Sequence, residues 1–262
     1  MSRPDLRHTE IDGLRCAWVT AGAGPPLVLL HGWGASLELM WPFAEQMAAA
    51  GFRVVVPDLP GFGTSDPPPV AWSVRDYADF VLAFLDQQSL PEVALGGHSF
   101  GGRISLMLGA EPAQRIRKLL LFNAAGLRGP QPLPARARLK LYRLTHSALR
   151  GLRLNAASES LGSWYYRRYA SPDYRAATGV MRATFVNIVN EDMRPYALQV
   201  RPSTLLFWGD QDEDTPLWMG QALEAAIPDA GLVVWRGAGH YSYLDRLADT
   251  ARVSAHFLRQ ER

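Results

Sequence analysis

Short, nearly unbroken apolar runs recur along the chain: PPLVLLHG (25–32), FRVVVPDLPGFG (52–63), PEVALGGHS (91–99), IRKLLLFNAAG (116–126), STLLFWGD (203–210) and AGLVVWRGAGH (230–240). Each ends in turn residues. Runs of this length read as strands buried on both faces. Ahead of them, RHTEIDGLRCAWVT (7–20) has two short extended stretches around Asp12-Gly13, the dipeptide of a tight hairpin. Helical patterns lie between the runs. Residues 37–50 are helix formers that stop at Gly51. In SVRDYADFVLAFLDQQ (73–88), Val74, Tyr77, Val81 and Leu85 recur at helical spacing behind Ser73 as N-cap. FGGRISLMLGA (100–110) and stretches near 217–226 and 243–259 complete the series.

Strands that alternate with helices predict an α/β fold, a mostly parallel central sheet with helices on both faces. The rhythm breaks over residues 127–196, which hold helical stretches and no convincing strand. In RAATGVMRATFVNIVN (175–190), Val180, Met181, Thr184, Phe185, Ile188 and Val189 gather on one side. The block reads as a helical insertion, leaving 1–126 and 197–262 as the core.

Composition narrows the classes. The 262 residues are 48% hydrophobic, enough for one domain with a substantial core. A net charge of +2 argues against a nucleic-acid binder. One cysteine, Cys16, excludes an internal disulfide and a multi-cysteine metal site. No signal-peptide or membrane-spanning run is evident, so a cytoplasmic location is expected.

The chemistry centres on Gly97-His98-Ser99-Phe100-Gly101, set between a predicted strand and a predicted helix. This is the context of a nucleophile elbow: a strained turn lifts the serine hydroxyl clear of the sheet at a helix N-terminus. A hydroxyl needs a base, and histidine titrates near neutrality. Of the six histidines, His8, His146 and His256 lie in the hairpin, the insertion and the last helix, while His31 and His98 end strands as structural residues. His240 follows the last predicted strand, at the edge where open parallel sheets bind ligands, and is the expected base. An acid must orient it. FWGDQDEDTP offers Asp210, Asp212, Glu213 and Asp214, among which local chemistry does not choose. The amide of Phe100 and, from HGWGAS (31–36), that of Trp33 are the expected oxyanion donors, with Gly32 close to the substrate.

Together these segments resemble the α/β-hydrolase fold family over nearly the whole chain. LLHGWGAS resembles its oxyanion loop, GHSFGG its elbow, GAGHYSYLD its histidine loop, and LLFWGDQDEDTP its Gly-x-x-Asp-x-x-x-Pro segment. The resemblance implies Asp212, bracketed by Gly209 and Pro216, as the acid, with Asp210 and Asp214 as fallbacks. It implies that residues 127–196 form a cap. A serine rather than an aspartate nucleophile implies hydrolysis of an ester or related acyl compound, with no cofactor and no metal. A carbon–carbon bond hydrolase acting on a dienoic or β-diketone acid is the alternative, and a receptor that binds a ligand without turnover is the alternative of another class.

Charge is unevenly spread. From Pro112 to Ser158 there is no acid, but there are ten cations: Arg115, Arg117, Lys118, Arg128, Arg136, Arg138, Lys140, Arg143, Arg150 and Arg153. The rest of the chain holds 17 cations against 25 acids, a balance of −8. A solvated basic face is one reading. Attraction of an anionic substrate, or peripheral contact with an acidic membrane, is the other. Trp164 and Tyr165 are candidates to line an acyl pocket. The expected partner is a small-molecule substrate, with no nucleic acid and no stable membrane insertion.

Overall fold

A computed structural model of the chain describes residues 5–111, 115–129 and 133–260. The hairpin forms as predicted: β1 (Arg7–Ile11) pairs antiparallel with β2 (Leu14–Ala21). Asp12 (φ 49°) and Gly13 (φ 79°) both take the positive φ that this tight turn demands. Six further strands follow: β3 (Pro26–Leu30), β4 (Arg53–Pro57), β5 (Val93–His98), β6 (Ile116–Phe122), β7 (Ser203–Gly209) and β8 (Ala230–Trp235). They build one eight-stranded sheet in the order β1-β2-β4-β3-β5-β6-β7-β8. All neighbours from β4 to β8 are parallel, and β2 joins β4 antiparallel.

The apolar runs are continuous because both faces are covered, and alternate residues feed two separate cores. Val28, Leu30, Val55, Leu95, Leu119, Leu121, Leu206 and Trp208 pack under α2 (Val74–Gln87), α3 (Phe100–Ala110) and α9 (Leu217–Ala226). Leu27, Leu29, Val54, Val56, Leu120, Phe122 and Phe207 face α1 (Leu37–Ala49) and α11 (Leu247–Arg259). On α2, Val74, Tyr77, Val81 and Leu85 are all buried. Its first turn is closed by a reciprocal capping box between Ser73 and Asp76.

Among the described residues, five helices stand between β6 and β7: α4 (Leu133–Gly151), α5 (Asn155–Tyr169), α6 (Pro172–Ala176), α7 (Gly179–Asn190) and α8 (Arg194–Ala197). The last short helix, α10 (Ser242–Asp245), precedes α11. Helix α7 is tied to the sheet domain. The Trp72 amide donates to Thr184 Oγ1 at 3.0 Å, and Arg103 Nη1 donates to the carbonyls of Ile188 (2.9 Å) and Glu191 (2.8 Å). Thr184 and Ile188 are buried as the periodicity requires, whereas Val189 at the helix end is exposed. Helices α4 and α5 pack mainly on each other. Among the described residues, no helix is long and apolar enough to cross a membrane.

Candidate active site

The parallel register brings the C-terminal ends of β5, β6, β7 and β8 to one rim of the sheet. The ladder runs one step past the strands: the Ser99 amide donates to the Phe122 carbonyl at 3.1 Å, Asn123 to Phe207 at 2.9 Å, and Asp210 to Trp235 at 3.3 Å. The residues that follow those strands therefore converge, although they are scattered along the chain.

Ser99 sits at φ 49°, ψ −107° between β5 and α3, a region a non-glycine residue occupies only when its surroundings hold it there. The glycines flanking it are required sterically. A Cβ on Gly97 would meet the Gly101 carbonyl oxygen at 2.4 Å, and one on Gly101 would meet the Leu30 oxygen at 2.4 Å. Strand, turn and helix touch here backbone to backbone. Gly32 is equally confined, since a Cβ there would lie 2.9 Å from His98 Nδ1 and 3.3 Å from Ser99 Cβ. The amides of Trp33 and Phe100 donate to no other group among the described residues.

His240 presents Nδ1 to Asp212, 2.9 Å from Oδ2 and 3.1 Å from Oδ1. Its imidazole lies 4.8 Å from that of His98, the neighbour of Ser99. Its Nε2 forms no hydrogen bond among the described residues. Asp212 is buried and fully occupied. Oδ1 accepts the amides of Asp214 and Thr215, both at 2.9 Å, and Oδ2 accepts Asn123 Nδ2 at 2.6 Å and the Thr215 hydroxyl at 2.7 Å. Burial alone would raise its pKa, but the hydrogen bonds from His240 and Thr215 outweigh burial and hold it at about 2. The fallbacks do other work: Asp210 is exposed and accepts the Gly237 amide at 2.7 Å. Asp214 is exposed, but a carboxylate oxygen of it lies within 4.8 Å of His240 and Asp212 ligand atoms. A cation in that grouping would have to displace the donors already on Asp212.

His98 is buried, and its pKa is lowered to about 3, chiefly by that burial and then by His240. It is therefore neutral at physiological pH. Its Nε2–H donates to the His240 carbonyl at 3.0 Å and so fixes the histidine loop.

Trp164 and Tyr165 are not brought to Ser99. Trp164 is exposed and edge-on to Tyr169, and Tyr165 stacks on Tyr142 with ring centres 4.0 Å apart. The reason is that α4 and α5 use their aromatics for their own seam. The aromatic wall beside the elbow is Trp33 with Phe62 (4.8 Å), Phe100 (5.6 Å) and Phe185 of α7 (5.1 Å).

Two residues near the site were missed in the sequence. Asn123, at φ 45°, links Asp212 to Ser242, whose hydroxyl donates to Asn123 Oδ1. A polar residue closing an apolar strand was the available signal. Asp173 of α6 was hidden in the insertion. Its Oδ1 lies 4.0 Å from where a Cβ on Gly34 would be, over the loop that carries Trp33. Partial burial and then Asp214 raise its pKa, against His240, which lowers it.

The α/β-hydrolase fold family model matches residues 25–247. The chain is 28% identical, over 94% of its length and 91% of the relative's, to 2-hydroxymuconate semialdehyde hydrolase of Pseudomonas sp. (strain CF600). Among solved structures, the enol-lactonase of Burkholderia xenovorans superposes with a TM-score of 0.73 at 22% identity, covering 97% of this chain and 100% of that one. The bromoperoxidase of Bacillus anthracis gives 0.75 at 21% identity, over 98% and 100%.

Proposed function

The chain belongs to the α/β-hydrolase fold family, and on that footing we propose that it is a cofactor-independent serine hydrolase of small carboxylic esters or related acyl compounds, with Ser99, His240 and Asp212 as its triad. One observation carries the reading. A buried Asp212 paired with a half-buried His240 at 2.9 Å stands at the same sheet rim as a serine held at φ 49° on a strand-to-helix turn.

In the proposed reaction His240 Nε2 accepts the Ser99 proton as Oγ attacks the carbonyl carbon. The amides of Trp33 and Phe100 receive the oxyanion, and a donor aimed at that charge contributes on the order of 3–4 kcal/mol. Asp212 keeps the proton on Nδ1, which leaves Nε2 free to act, and stabilises the imidazolium. His240 then protonates the leaving alcohol. Water, deprotonated by the same nitrogen, releases the acid and restores Ser99. Helices α6 and α7 serve as the cap: Phe185 closes the aromatic wall and Asp173 overhangs the oxyanion loop.

The likeness to 2-hydroxymuconate semialdehyde hydrolase favours a second reading, carbon–carbon bond hydrolysis by the same triad. The rim weighs against it. Carboxylates at Asp173 and Asp214 stand near His240, a rim that repels an anionic substrate relative to a neutral ester. The first experiment is labelling with a fluorophosphonate and turnover of p-nitrophenyl butyrate, set beside a vinylogous diketo acid. Labelling at Ser99 and ester turnover that vanishes in Ser99→Ala are expected. Undiminished turnover in Ser99→Ala would remove the serine from the mechanism, and an unlabelled folded protein would favour a receptor.

A further inference from the structure

Helix α4 carries two apolar stripes, and only one of them is used. At about 100° per residue, Leu139, Tyr142, His146 and Leu149 share one side. They are half-buried against α5, where Tyr142 stacks on Tyr165 and its hydroxyl comes within 3.6 Å of a Cβ position on Gly162. On the opposite side, Ala137, Leu141, Leu144 and Ala148 fall within about 60° of one another. All four are exposed, Leu141 by 67% and Leu144 by 61%, and Leu152 extends the row at 70%. A solvent-facing helix side is normally polar.

Charge identifies what covers this stripe. Arg138, its guanidinium 3.9 Å from the centre of the Tyr169 ring, flanks it on one side and Lys140 on the other, with Arg143 beyond Lys140, within a stretch that has no acid from Pro112 to Ser158. A second copy laid face to face would set cations against cations. An apolar row between long cationic side chains matches the boundary of an anionic bilayer, with the leucines among acyl chains and the ammonium and guanidinium groups at the phosphates. We propose that the solvent face of α4 docks the protein on an anionic lipid surface.

The test is co-sedimentation of the full chain with vesicles of phosphatidylcholine alone and of phosphatidylcholine mixed with phosphatidylglycerol. Binding to the mixed vesicles is expected to be at least roughly tenfold tighter, to weaken as salt rises, and to fall by about the same factor in Leu141→Asp/Leu144→Asp. Both leucines are exposed, so the variant should unfold at the wild-type temperature. A second variant, Lys140→Gln/Arg143→Gln, should lose the preference for mixed vesicles without lowering the weak binding to neutral ones. Equal binding to the two vesicle types, or none, overturns the proposal. A concentration-dependent dimer abolished by the leucine variant, with no vesicle binding, overturns it in favour of self-association.

Discussion

Replacing Asp212 by asparagine should cost about four orders of magnitude in kcat while leaving the fold intact. The acceptors of Asp212 are all committed. Oδ1 faces two backbone amides, of Asp214 and Thr215, both at 2.9 Å, and these donors cannot turn away. An asparagine must therefore put its carbonyl oxygen there and its NH2 in the place of Oδ2. That NH2 would face Asn123 Nδ2, itself a donor 2.6 Å from the present oxygen, and His240 Nδ1 at 2.9 Å. His240 can meet a donor only by presenting a bare Nδ1, which moves its proton to Nε2. In that tautomer the ring cannot accept the Ser99 proton. Losing the base in this way has cost about 10⁴ in kcat in a comparable triad, equivalent to about 5 kcal/mol of transition-state stabilisation. The assay is steady-state hydrolysis of p-nitrophenyl butyrate, with thermal unfolding as the control for folding. A folded Asp212→Asn protein that keeps more than about a tenth of wild-type kcat would refute the tautomer reasoning.

Other outcomes follow from the same geometry. Because Asp212 is held at about 2 against an ordinary 3.8, it contributes about 2 kcal/mol of stability at neutral pH, present in full above that ordinary value and lost as the pH falls through about 2. Urea unfolding between neutral and acid pH should show this loss in wild type and a smaller one in Asp212→Asn; equal losses would count against it. Gly101→Ala forces a methyl to within 2.4 Å of the Leu30 carbonyl oxygen and should destabilise by about 3 kcal/mol, roughly 6–12 °C in Tm. An unchanged Tm would mean that strand and helix can part freely. Asp173→Asn should raise kcat/KM for an ester bearing a carboxylate by roughly two- to fivefold relative to a neutral ester, a modest factor because the residue, though partly buried, keeps much of its contact with water. An unaltered ratio of the two substrates would take Asp173 out of substrate selection.

The local patterns were sufficient for the scaffold. Two-sided burial leaves β3 and β5 with unbroken apolar runs, and the Asp12-Gly13 turn and the Ser73 cap are short-range devices whose chemistry is complete within four residues. The elbow was legible for a similar reason: the steric need for Gly97 and Gly101 around Ser99 is written in adjacent positions. Asp212 was legible only through the family resemblance of its segment, because four acids within five residues differ locally only in what the distant Asn123 and His240 offer them.

Within the insertion, helical periodicity was visible, but which side of each helix would meet what was not. Helix α4 has two apolar sides, and only its docking on α5 decides that Tyr142 is covered and Leu141 is left in water. The same docking carries Tyr165 into the seam and Trp164 into solvent, while α7 brings Phe185 to Trp33 and α6 brings Asp173 over Gly34. Periodicity specifies the faces of an element relative to its own axis. Contacts between elements far apart in the chain depend on how those axes come to rest against one another, and that is settled only when the whole chain packs.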